Sequence, residues 1–71
     1  MRLVSATGNT VRNAVCAARR ALGVTLEDSP VIVQADHGDG LYRVQLGNGD
    51  VVEVTTAKGI TANAVVLDED F

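Results

Sequence analysis

From Val31 to Val66 the chain passes through a series of short Gly-bearing turns. They place its apolar residues on one shared face, and nothing else in the sequence restricts the fold as much. Residues 31–36, 41–46, 50–56 and 60–66 read as strands, joined by His37-Gly38-Asp39-Gly40, Gly47-Asn48-Gly49 and Ala57-Lys58-Gly59. The two shorter loops each end in Gly, which suits a type I turn closed by a left-handed residue in a bulge.

The register follows from these turns, because a slip of one residue would send every side chain to the opposite face. Closing the first loop on Asp36 and Leu41 pairs Ala35 with Tyr42, Val33 with Val44 and Val31 with Leu46. Closing the second on Leu46 and Asp50 pairs Val44 with Val52, Tyr42 with Val54 and Arg43 with Glu53. Closing the third on Thr56 and Ile60 pairs Val54 with Ala62 and Val52 with Ala64. The rows Val33-Val44-Val52-Ala64 and Ala35-Tyr42-Val54-Ala62 are then apolar. The row behind them, Gln34-Arg43-Glu53-Asn63, is polar with an opposite-charge pair at its centre.

The N-terminal third supplies a cover for the apolar face. Val11, Ala14, Val15, Ala18 and Leu22 follow helical spacing over residues 10–22, with Asn9 or Thr10 as the N-cap and Gly23 at the C-terminal left-handed position. Residues 2–6 read as a short first strand, and Pro30 ends a polar connection at a strand entrance. The expected fold is α+β: an N-terminal helix on one face of a four- to five-stranded, mainly antiparallel sheet, in the order β-α-β-β-β-β.

Residues 1–71 form a single small domain on this reading, with a modest core and stability that is slim or shared with another copy. There is no apolar run of signal-peptide or membrane-spanning length, and one cysteine cannot form an internal disulfide. A cytoplasmic protein with no membrane association is therefore expected. The acidic stretch Asp68-Glu69-Asp70-Phe71 is expected to fray.

Charge is divided unevenly along the chain. Residues 1–23 carry Arg2, Arg12, Arg19 and Arg20 and no acid, whereas the remainder is strongly acidic, for a net charge of −3. Arg12 and Arg20, with Arg19 beside them, lie on the helix face away from the apolar stripe. Such a dipolar surface steers partners of opposite charge and favours docking of helix against sheet edge between copies.

Catalytic constellations are lacking. Cys16 sits one turn from Arg12 and from Arg20, an environment that favours a thiolate, but no base is placed beside it. His37 lies in a hairpin loop. Asp36, His37 and Asp39 lack the ligand count and spacing of a structural zinc or calcium loop and read as turn residues. Gly47-Asn48-Gly49 joins two strands and does not lead into a helix, so it is no phosphate loop. No enzyme activity, cofactor or metal is expected.

Residues 40–52, GLYRVQLGNGDVV, resemble the central hairpin of bacterial translation initiation factor one, a family of RNA-binding OB-fold proteins of similar length with Arg-Val-x-Leu-x-Asn-Gly at its heart. Residues 31–35 and 59–67 sit where that family has neighbouring strands. The likeness covers about half of the chain. The chain departs from the family in its Arg-rich N-terminal helix, its acidic balance and the absence of further basic strands, so no RNA-contacting residues are carried over.

The leading expectation is a non-catalytic, acidic interaction module that docks on a protein partner, as an inhibitor, adaptor or phage-type accessory protein does, and that self-associates. Three surfaces are its candidates. The first is the basic helix face, Arg12, Arg19 and Arg20. The second is the outer sheet face, with Ile32, Gln45, Val51 and Val65 in one partly apolar row beside Arg43 and Glu53. The third is the acidic loop at Asp36 and Asp39. The alternative is nucleic-acid binding through the basic helix or the hairpin. It is weakened by the net negative charge and by aromatics limited to Tyr42 and Phe71.

Overall fold

The computed structural model describes residues 1–70; Phe71, one of the two aromatics weighed for base stacking, lies outside the described residues. The elements follow in the expected order: β1 (Leu3–Gly8), α1 (Val11–Leu22), β2 (Val31–Gly38), β3 (Leu41–Leu46), β4 (Val51–Thr56) and β5 (Asn63–Asp68). The fold is α+β, with α1 packed on one face of a mostly antiparallel five-stranded sheet.

The helix begins and ends where its caps require. Thr10 is extended, and its hydroxyl accepts from the Asn13 N–H at 3.1 Å. At the other end the N–H of Gly23 reaches the Arg20 carbonyl and that of Val24 the Arg19 carbonyl, a Schellman closure with Gly23 at φ 71°. Arg19 and Arg20 in the last turn also suit the negative end of the helix dipole. Ala14, Val15, Ala18 and Leu22 are buried as their spacing predicts, together with Ala17, and Val11 is half-buried.

The expected β3–β4 register is observed: Tyr42 faces Val54, Val44 faces Val52 and Arg43 faces Glu53. The turn between them closes through the Leu46 N–H to the Asp50 carbonyl at 2.8 Å and the Gly49 N–H to the Leu46 carbonyl at 2.9 Å. Val44, Leu46, Val52 and Val54 are core residues, whereas Tyr42 is only half-buried and packs against the core from its margin.

Two parts of the expected register are overturned. β5 does not pair with β4, so the rows through Val54-Ala62 and Val52-Ala64 do not form. β1 lies between the two strands in the order β2-β3-β4-β1-β5. It runs parallel to β4, with Val4 beside Val52 and Ala6 beside Val54, and antiparallel to β5, with Ala6 beside Ala64. The turn at Ala57-Lys58-Gly59 does form, since the Ile60 N–H bonds the Ala57 carbonyl at 3.2 Å. It opens a crossover instead of a hairpin. The crossover is tied to the end of β1 by the Ala57 N–H to the Gly8 carbonyl, the Gly59 N–H to Asn9 Oδ1 and the Thr7 hydroxyl to the Thr61 carbonyl. The physical reason is burial. Val4 and Ala6 of β1 are fully covered, and a central position completes the hydrogen bonding of β1 on both sides.

The second correction lies in β2. Val31 faces Leu46 as expected, but an irregularity before Val33 shifts the register, so that Gln34 faces Val44, Ala35 faces Arg43 and Asp36 faces Tyr42. Val33 therefore leaves the apolar inner row and Gln34 enters it. The hairpin closes on two residues, Asp39 at φ 54° and Gly40 at φ 78°, the paired positive φ values of a type I′ turn. Asp-Gly is the residue pair that turn prefers, and it outweighs a four-residue loop.

Candidate functional site

A sheet of five strands spaced about 4.8 Å apart is about twice as wide as a helix is thick. α1 packs on β1, β5 and β4. β2 is left at the edge with nearly all of its residues exposed. Between α1 and β2 an open groove of about 680 Å³ remains. Val11 and Val15 of the helix, Val24 and Leu26 of the following segment, and Val31 of β2 supply its apolar lining. Arg12, Cys16, Arg19 and Arg20 line it from the helix and Gln34 from β2, with no acid among the lining residues.

The segment between α1 and β2 is held so that Leu26 stays at the groove. The Thr25 hydroxyl accepts from the Asp28 N–H at 3.1 Å, the Ser29 N–H bonds the Thr25 carbonyl at 3.0 Å, and the Ser29 hydroxyl donates to that same carbonyl. Ser29 is fully buried. Arg19 clamps it, with Nε and Nη2 donating to the Ser29 carbonyl at 3.0 and 2.8 Å. Leu26 itself stays 65% exposed.

The expected basic face thus divides by role. Arg19 is half-buried and holds the segment after the helix, while Arg12 and Arg20 are exposed and make no hydrogen bond or ion pair among the described residues. Arg2, counted with the basic N-terminal third, belongs to the fold. Its backbone N–H donates to Asp50 Oδ1 at 2.9 Å, its Nε and Nη2 to Oδ2 at 3.2 and 2.9 Å, and its Nη1 to the Leu22 carbonyl at 3.3 Å. Asp50 also accepts from the Asn48 amide at 3.0 Å. Burial works against the Asp50 carboxylate. The hydrogen bonds from the Arg2 side chain and backbone, the Arg2 charge and the Asn48 amide outweigh burial and hold the Asp50 pKa below its ordinary value.

The outer sheet face is not the row expected. Val51 is buried at 9% exposure, held between Gln45 on β3 and Leu3 on β1 with its N–H on the Arg2 carbonyl. Val65 stands beside Ser5 one row away, and Ile32 sits at the β2 irregularity on the opposite edge of the sheet, with three strands between β2 and β5. Ile32, Val51 and Val65 therefore form no common surface. Arg43 and Glu53 do face each other across β3 and β4 on that side. Asp36 and Asp39 serve the hairpin: Asp36 Oδ1 accepts from the Gly38 N–H at 2.8 Å, and Asp39 occupies the first turn position. Among the described residues no cluster of His, Cys, Asp or Glu could hold a metal ion, and no helix is long and apolar enough to cross a membrane.

Leu26, Val31, Val24 and Gln34 were not singled out as site residues by sequence reasoning. Two signals pointed to them: an isolated Leu inside a polar connection, and a Gln within an apolar strand. No family model, curated protein or solved structure matches the chain.

Proposed function

We propose that this chain is a non-catalytic docking module that receives a protein partner in the groove between α1 and β2. The observation that carries this reading is the uncovered part of the sheet. A two-layer fold normally buries the whole inner face of its sheet, and here Leu26 and Val31 stay exposed beside the covered core. The groove brings together the expected basic face at Arg12 and Arg20 and an apolar lining, which is the composition of a protein interface: an apolar centre with Arg at its rim. Docking through the outer row is withdrawn, since Val51 is buried and that row does not exist.

The test is partner capture from the native host by the immobilised chain and by two variants. Leu26→Asp with Val31→Asp alters exposed groove positions, and Val65→Glu alters the opposite face. A partner held by the parent and by Val65→Glu but lost by the groove variant supports the reading. Equal capture by all three refutes it.

A further inference from the structure

We infer that the groove takes an amphipathic acidic helix of a partner protein, laid alongside α1 over β2; this rests on the docking reading above. Geometry leads to a helix. The strip left uncovered lies over the edge strand β2, since Val44 and Leu46 of β3 are already fully buried, and an element laid on it would run beside α1. The lining runs along α1 from Val11 to Arg20, about 14 Å of helix, and the groove is open to solvent.

Charge leads to acid. Arg12 and Arg20 are exposed, without a partner among the described residues, and eight positions apart on one helix, about 12 Å along its axis. Acidic side chains two turns apart on a neighbouring helix span nearly the same distance, about 11 Å for residues i and i+7. Leu side chains at i, i+3, i+4 and i+7 of that helix would lie on Val24, Leu26 and Val31. The geometry disfavours pairing of this groove with α1 of a second copy. α1 is the one helix among the described residues, it has no acidic residue, and such pairing would set Arg12 and Arg20 against their own kind.

The probe is the acetylated, amidated peptide SELQALLQELAQELAQ, whose Leu residues form one stripe with Glu along its flank, titrated into isotopically labelled chain and followed by amide NMR. Its counterpart with Lys for every Glu is the control. The Glu peptide should bind, shifting amides from Val11 to Arg20, of Leu26 and of Val31 and Gln34, while the Lys peptide leaves them unmoved. Arg12→Gln with Arg20→Gln should weaken Glu-peptide binding roughly ten-fold at low salt, and salt above about 0.1 M should weaken the parent's binding in the same direction.

Equal binding of the two peptides, no effect of the double Arg variant, or shifts confined to the outer sheet face would each overturn the inference. If neither peptide binds while the chain self-associates in sedimentation and Leu26→Asp makes it monomeric, the occupant is a second copy. The inference then falls and the docking reading stands. If neither peptide binds, the chain is monomeric and groove variants capture partners as the parent does, both fall together.

Discussion

Replacing Asp50 with Asn is expected to cost a large share of this domain's stability, because one carboxylate ties three separate parts of the chain together. Its side chain is 4% exposed and accepts from the Arg2 backbone, the Arg2 guanidinium and the Asn48 amide, while Arg2 also reaches the last carbonyl of α1. Asn can keep the bond from the Arg2 backbone, but it points an NH₂ group at donors and removes the charge. Hydrogen bonds to a charged group contribute about 1.5–3 kcal/mol. The Arg2 side chain is 30% exposed and can be rehydrated, which places the loss near the middle of that range, at about 2 kcal/mol. A chain of 71 residues is stable by roughly 4–10 kcal/mol, so the loss is a fifth to a half of the total. The midpoint of thermal unfolding should fall by about 8–16 °C. Urea unfolding followed by circular dichroism, repeated between neutral pH and pH 3, is the assay. The folded pKa of Asp50 lies below its unfolded value of 3.8, so its contribution is fully present above that value and is lost as pH falls through the folded pKa. The parent should lose stability over that acid range more steeply than Asp50→Asn, which has no carboxylate to protonate there. A variant within about 0.5 kcal/mol of the parent, with an identical acid profile, would refute this account of the Arg2–Asp50 tie.

Gly40→Ala should destabilise by about 2 kcal/mol or more, read by the same urea assay, because φ is 78° and an added Cβ would lie 2.5 Å from the Thr56 carbonyl oxygen. Val51→Lys should destabilise by about 2 kcal/mol, since it puts a charge where Val is nearly covered, whereas Val65→Glu at an exposed position should stay within about 0.5 kcal/mol. Equal effects at the two sites would restore the outer row that the sheet order removes. Cys16→Ser, at an exposed position, should leave stability and partner capture unchanged. Loss of capture in that variant alone would point to thiol chemistry in the groove.

The elements legible in the sequence are those specified by neighbours a few residues apart. Thr10 and Gly23 bound α1 because a cap needs only a side-chain oxygen or a left-handed residue at the helix end. The β3–β4 register followed from Gly47-Asn48-Gly49 because a tight turn joins the strands it pairs. Sheet order is a different kind of property. The turn at Ala57-Lys58-Gly59 has the local chemistry of a hairpin and forms, yet the strand after it pairs with β1, from the other end of the chain. No local signal could report that, since parallel pairing of β1 with β4 is reached only through α1 and the β2–β3 hairpin.

The candidate site divides along the same line. Helical periodicity alone placed Arg12 and Arg20 on a face away from the core, and charge alone marked that face as basic. The β2 irregularity that turns Val33 out and Gln34 in, the burial of Val51, the recruitment of Arg19 by Ser29 and of Arg2 by Asp50, and the apolar trough beside α1 were decided by tertiary structure. Each depends on which elements lie side by side once β1 takes the centre of the sheet and draws the helix toward β1 and β5. That choice is made by total burial and hydrogen bonding across the whole chain, a sum that no short stretch of residues contains.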